Sequence, residues 1–134
     1  MQIILPAICL HVLAGVFWAG STFALARSGT SALAIRLFKP QMGAAVMATL
    51  TGAYLGHMLR AGSAGSGTVL IMGGAVSALV AAGVQSVMIG RAQRKWHGNG
   101  ADLTQLGERI TMAHQIAGAL LVLTVLTMAS ARFV

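Results

Sequence analysis

The sequence predicts an all-α integral membrane protein, a single-domain bundle of four transmembrane helices over residues 1–134. Composition is the first observation, because 57% of the 134 residues are hydrophobic and only 8% are charged. A soluble domain carries roughly 25% charged residues. The second observation is four long apolar runs that contain no Asp, Glu, Lys or Arg. These runs show no strand-like alternation, and continuous apolar segments cross lipid as helices.

The four predicted spans have the length that a lipid bilayer requires. A membrane helix needs about 17–25 apolar residues. The first run ends in Ala24-Leu25-Ala26, which resembles a signal-peptide cleavage site. It lacks a basic amino-terminal region and its apolar core is too long, so we expect a retained helix. The spans are residues 3–26, 43–59, 68–90 and 110–131.

The basic residues predict the orientation of the bundle. Seven of the nine Lys and Arg residues lie in the connectors 27–42 and 91–109, and only Arg60 and Arg132 lie on the other side. Short loops rich in Lys and Arg remain cytoplasmic. We therefore expect a bacterial inner-membrane protein with both termini in the periplasm. Anionic lipid accounts for the pI of about 11.6 without nucleic acid, and the bilayer is the expected partner.

Three of the four histidines lie inside the apolar runs, where ionisable residues are rare and are functional candidates. A helix rise of about 1.5 Å per residue places His11 and His57 at depths that differ by only ~5 Å, both in the outer half. His114 falls in the inner half, with Gln85 at similar depth, and Thr22 of the first run reaches the same layer. Trp18 shares a helix face with His11 and is a further candidate cofactor contact.

Two imidazoles on facing helices at similar depth can ligate haem iron from opposite sides. His11 and His57 are therefore the first choice of axial pair for haem b, and His114 is the third candidate metal ligand. With Gln85, His114 is either an alternative axial ligand or a contact to a quinone or a propionate. Arg60 lies near the outer surface and is a candidate partner for a propionate. An interhelical hydrogen bond from each histidine is the structural alternative.

Copper is the competing ligand chemistry. The chain has eight methionines, with Met58 next to His57 and Met112 two residues before His114. Thioether and imidazole together suit copper(I), although methionine also serves as an adaptable packing residue. No carboxylate or lysine lies inside the spans, which argues against a proton-coupled exporter and a retinal protein.

Three short segments carry a resemblance to one group of membrane proteins. They are the H-x6-W-x-G pattern from His11 to Gly20, Phe38-Lys39-Pro40 followed by Thr51-Gly52, and the closing Met128 to Phe133. The chain resembles the CopD-like copper-resistance proteins and the related four-helix haem-dependent protoporphyrinogen oxidases. That resemblance implies haem or metal binding at His11. The oxidase branch uses an embedded lysine that has no counterpart here, which argues against protoporphyrinogen oxidation.

The expected function is an integral membrane b-type haem protein, a membrane oxidoreductase that passes electrons between quinol and a partner. Copper transport or handling is the first alternative. The second is a non-catalytic accessory subunit of a larger membrane complex. A homo-oligomer or a subunit of such a complex is the expected assembly.

Overall fold

The computed structural model describes residues 3–29, 31–60, 65–96 and 103–133. These residues form four α-helices, and the described part of the chain contains no strand. The predicted all-α, four-helix architecture is therefore confirmed. The helices are α1 (Ile4–Ser28), α2 (Ser31–Arg60), α3 (Ser66–Trp96) and α4 (Leu103–Ser130).

The helices extend well beyond the apolar runs. The prediction that residues 27–42 form a connector is wrong, because α2 begins at Ser31 and contains Pro40 within the helix. Likewise α3 continues to Trp96 and α4 begins at Leu103, so little of the predicted connector 91–109 lies between helices. An apolar run measures the thickness of the hydrocarbon layer, whereas backbone hydrogen bonding continues into polar sequence.

The turn between α1 and α2 depends on one glycine. Gly29 has φ 61° and ψ 8°, the left-handed conformation that closes a helix C-terminus. A residue with a Cβ rarely adopts this conformation. The glycine therefore ends α1 within two residues of the start of α2.

Successive helices run in opposite directions. His11 of α1 lies opposite Ala48 of α2, and Gln41 of α2 bonds to Ser21 of α1, so the two helices are antiparallel. The same reversal holds for α3 and α4, where the Ser77 hydroxyl donates to the Leu120 carbonyl and the Thr124 hydroxyl donates to the Gly74 carbonyl. The bundle is assembled mainly from these two pairs, α1 with α2 and α3 with α4.

The interior is built from small side chains, and the large apolar side chains point outward. The main core cluster contains five alanines together with Trp18 and Leu121. Leu13 and Val69, by contrast, are 68% and 72% exposed. Small residues allow helix backbones to approach closely in lipid, and a bilayer accepts exposed leucine and valine without cost. This distribution is typical of a membrane-embedded bundle.

Three helical segments are long and apolar enough to cross a membrane, namely Ile4–Ser28, Ser66–Ala92 and Gly107–Ser130. α2 is not among them, and it contains the charged residues Arg36 and Lys39 in its first part. The chain is thus a multi-pass helical membrane protein.

Gly74 is the position where α3 approaches α4 most tightly among the described glycines. A methyl group there would lie 2.7 Å from Thr127 Oγ1, 3.0 Å from Met128 Cγ and 3.3 Å from the Thr124 carbonyl oxygen. The Gly74 carbonyl also accepts the Thr124 hydroxyl at 3.2 Å. Close contact of the two backbones therefore depends on the missing side chain.

We expect Gly74→Ala to lower the free energy of unfolding by about 1–3 kcal/mol, the usual cost of overpacking. A methyl group on the neighbouring Gly73 would have no atom within 4 Å, so Gly73→Ala is the matched control. It should be neutral or slightly stabilising, because alanine favours helix over glycine. Unfolding by dodecyl sulfate in mixed micelles measures both variants. Equal midpoints for the two would contradict the tight α3–α4 contact.

Candidate functional site

His11 is held in the interface between α1 and α2. Its Nδ1 lies 2.9 Å from the Ala48 carbonyl oxygen and 3.2 Å from Thr51 Oγ1. The Thr51 hydroxyl donates its own proton to the Met47 carbonyl at 2.7 Å, so both neighbours of Nδ1 are acceptors. The proton of a neutral imidazole is therefore on Nδ1, and Nε2 keeps its lone pair. Metal-ligating histidines are commonly oriented in this way.

The imidazole packs directly against Gly52 of α2. A methyl at Gly52 would lie 2.9 Å from His11 Cε1 and 3.3 Å from Nδ1. There is consequently no room for a porphyrin between His11 and this part of α2. Space is found instead at Gly15, one turn along α1, where no atom lies within 4 Å of a methyl position. The equivalent position at Gly118 is occupied by Phe23, at 3.5 Å.

His57 is exposed near the end of α2. It follows Ala48, the residue that contacts His11, by nine positions, and at ~100° per residue it therefore lies on about the opposite side of the helix. The structure does not bring His11 and His57 together within one chain. Ala48 and Thr51, which bond to His11, precede His57 by nine and six residues, so His57 lies about 9–14 Å farther along α2. The predicted similar depth of His11 and His57 is therefore wrong, and their directions around α2 differ as well.

His114 lies deep in the bundle and is fully buried. Its Nδ1 is 2.8 Å from the Ile110 carbonyl oxygen, which again places the proton of the neutral ring on Nδ1. Gln85 bonds to Thr22 of α1, and the bond between Ser77 and Leu120 places Gln85 near the level of His114. Thr22 is eleven residues from His11, so the rise per residue separates the two histidines by about 16 Å along the bundle. They cannot ligate one iron.

His114 belongs to a layer of four polar side chains, one from each helix, which we call the polar layer. Each of the four is 0% exposed. On every helix the polar residue lies between a residue of the Trp18–Leu121 core cluster and a residue of the second cluster, which comprises Leu25, Ala34, Ala92 and Ile110. The polar layer consists of Thr22, Gln41, Gln85 and His114.

Hydrogen bonds connect three helices in this layer. The Trp18 indole N–H donates to Gln85 Oε1 at 2.7 Å, and Gln85 Nε2 donates to Thr22 Oγ1 at 2.9 Å. Gln41 Nε2 donates to Ser21 Oγ at 3.0 Å and approaches Thr22 Oγ1 at 3.5 Å. The Ser21 and Thr22 hydroxyls donate to backbone carbonyls of their own helix. Their oxygens therefore accept, which fixes the orientation of both amides.

Two buried side-chain atoms have no hydrogen-bond partner among the described residues. They are Gln41 Oε1 and His114 Nε2, and both belong to the polar layer. With the proton on Nδ1 of His114, both atoms are acceptors. An unsatisfied buried polar group costs about 1–3 kcal/mol, so native proteins rarely leave one unpaired.

The remaining sequence candidates lie apart from these two sites. Arg60 ends α2, but its side chain is outside the described residues. Met58 and Met112 are exposed on the bundle surface. Among the described residues, no three His, Cys, Asp or Glu side chains cluster in a way that could hold a metal ion.

Gln41 is the layer residue that sequence reasoning misses. The limits of the apolar runs place it in the connector 27–42, outside any helix. A signal is nevertheless present, because Ala34, Gln41, Ala45 and Ala48 follow one helical face at spacings of seven, four and three residues. The sequence predicts Thr22 and Gln85 at the depth of His114, and the structure places both in its layer.

Fold and composition together define a multi-pass helical membrane protein with a polar layer in its core. No protein-family model matches the chain, and neither a curated protein nor a solved structure is significantly similar to it.

Proposed function

We propose that the protein is an integral membrane b-type haem protein that transfers electrons, with His11 as an axial ligand. The hydrogen bond from His11 Nδ1 to the Ala48 carbonyl at 2.9 Å is the interhelical bond that the structural alternative expects. The observation that carries the proposal is its consequence, because the bond orients the ring and leaves the lone pair on Nε2. Axial histidine is a common way of holding haem iron.

Gly52 closes the side of His11 that faces α2, whereas no atom lies within 4 Å of a methyl position at Gly15, one turn along α1. A planar cofactor would therefore approach His11 from the side of Gly15. Bound haem would supply one-electron chemistry, and this chain would supply the ligand and its orientation. The contacts of the His11 ring with Ala48, Thr51 and Gly52 set the direction of Nε2. The motif from His11 to Gly20, which resembles that of CopD-like proteins, adds support to this choice.

The optical spectrum is the direct test of the proposal. Protein produced with a haem precursor supplied and purified in mild detergent should show a Soret band that shifts on reduction with dithionite. The pyridine haemochrome assay then gives the amount of haem b per chain. Purified, folded protein without a Soret band under these conditions would refute the haem proposal.

We further propose that the protein resides in the bacterial inner membrane with its termini in the periplasm, on the basis of the seven-to-two distribution of cations. Single cysteines in a Cys9→Ser background test this orientation. Phe133→Cys, at the outer end of α4, should react with a membrane-impermeant maleimide in cells with permeable outer membranes. Glu108→Cys, at the inner end, should react only after lysis. The reverse pattern would invert the proposed topology.

A further inference from the structure

The two unpartnered acceptors of the polar layer point to a ligand that the haem proposal does not include. Gln41 Oε1 and His114 Nε2 are buried on different helices, in the same layer between the two core clusters. The tautomer of His114 is set by the Ile110 carbonyl, and the orientation of Gln41 is set by Ser21. Neither atom can therefore become a donor by a simple change of tautomer or an amide flip.

The chemistry of the layer limits what can bind. Its four side chains are two amides, a hydroxyl and an imidazole, with no acidic group among them. A metal cation or a protonated amine would enter a low-dielectric interior without a compensating negative charge, which is unfavourable. A neutral O–H group provides the donor that the two acceptors lack, and it brings no charge into the bundle.

We propose that the polar layer binds a neutral hydroxyl donor, with His114 Nε2 and Gln41 Oε1 as its acceptors. The donor is either a buried water molecule, whose two O–H bonds supply one proton to each acceptor, or a hydroxyl of a membrane-soluble ligand such as a quinol headgroup, which donates its single proton to one acceptor at a time. Both are neutral O–H donors. The site lies about 16 Å from His11 along the bundle, and the proposal rests on the polar layer alone. Its test is therefore independent of whether His11 ligates haem.

The site is positioned by three neighbouring side chains, Trp18, Thr22 and Gln85. Their hydrogen-bonding atoms are already paired with one another, so they do not bind the proposed donor. The bonds from Trp18 to Gln85 and from Gln85 to Thr22 tie α1 to α3. Gln41 then joins α2 to the same hydroxyls of α1. The acceptor of Gln41 is thereby held at the level of His114.

The ¹⁵N resonance of His114 Nε2 tests the proposal in histidine-labelled full-length protein in lipid bilayers. Comparison with His114→Phe identifies the resonance. We expect a chemical shift typical of a nitrogen that accepts a hydrogen bond. A through-space contact between Nε2 and water protons would identify buried water as the donor. A saturable change of this resonance on adding a short-chain ubiquinol identifies a hydroxyl of the ligand instead.

Gln41→Leu removes the second acceptor, and Gln115→Leu, on the exposed side of α4 next to His114, is the matched control. If the donor is ubiquinol, we expect Gln41→Leu to weaken its binding about tenfold; if the donor is water, we expect the contact between Nε2 and water protons to be lost. The Gln115→Leu control should change neither the ubiquinol affinity nor the water contact. An Nε2 resonance typical of an unbonded nitrogen, with contact to neither probe, would overturn the proposal. That wild-type measurement decides the question even if Gln41→Leu does not fold.

Discussion

Replacing His11 with alanine is expected to remove the Soret absorbance, with at least about tenfold less haem retained per chain. The reason is that the imidazole supplies the proposed iron ligand, and a metal site rarely tolerates loss of a ligand. Haem content by the pyridine haemochrome assay, normalised to folded protein, measures the effect. A His11→Ala protein with the wild-type haem content and spectrum would exclude His11 as the ligand.

Gly52→Ala tests the same site without removing the ligand. The added methyl would lie 2.9 Å from His11 Cε1, so the ring must move away from the Ala48 carbonyl. Loss of an orienting hydrogen bond costs metal sites about 10- to 100-fold in affinity. Gly56→Ala, four residues along α2 with no atom within 4 Å of its methyl position, is the matched control. It should keep the wild-type haem content.

His57→Ala separates two arrangements of the haem. Because His57 is exposed on about the opposite side of α2 from the His11 contact, we expect this variant to keep most of its Soret absorbance. A loss as complete as that of His11→Ala would mean that the two histidines ligate one haem across two copies of the chain. Size analysis in detergent would then show a haem-dependent dimer.

Replacing Gln85 with leucine is expected to lower the free energy of unfolding by about 2 kcal/mol. The change leaves the buried Trp18 N–H without its acceptor at 2.7 Å and removes the bond to Thr22 at 2.9 Å. A buried group left unpaired costs about 1–3 kcal/mol, and interhelical hydrogen bonds in membranes contribute somewhat less. Dodecyl sulfate unfolding in mixed micelles is the measurement.

A double substitution isolates the interhelical bond from the change in side-chain shape. In the Trp18→Phe/Gln85→Leu protein neither partner of the 2.7 Å bond remains, so part of the lost stability should return relative to the sum of the single variants. Gln115→Leu, which exchanges the same side chains on an exposed surface, should have little effect. If Gln85→Leu were as stable as Gln115→Leu, the bond would not stabilise the bundle.

The helices themselves are largely predictable from the sequence, and their ends are not. Residues 3–26 correspond closely to α1 (Ile4–Ser28), because the apolar run stops two residues before the helix, which Gly29 terminates. α2 begins twelve residues before the apolar run at 43, since its first turns contain Arg36 and Lys39 and are still helical. Gln41 lies in that stretch, which is why composition alone misses the residue that completes the polar layer.

The candidate site depends on two quantities, the depth of a side chain in the membrane and its direction around the helix axis. Counting residues along each apolar run groups Gln85 with His114 correctly, but it places His57 too close to the level of His11, which contacts Ala48 and Thr51. Whether two side chains at one depth face each other depends on the rotation of each helix about its axis. That rotation is set by contacts such as Gly52 against His11. It brings Gln85 into the layer of His114 and leaves His57 on the outer surface.

By itself, the sequence determined the class of protein and the number of helices, because 57% hydrophobic residues with 8% charged ones can be accommodated only in lipid. It also restricted the functional candidates to the few polar residues within the apolar helices. Only the tertiary structure decided which of these meet and which of their atoms are satisfied. Hydrogen bonds between helices form only where small residues let two backbones approach closely. The distance between two backbones depends on both helices, so it cannot be read from the sequence of one of them.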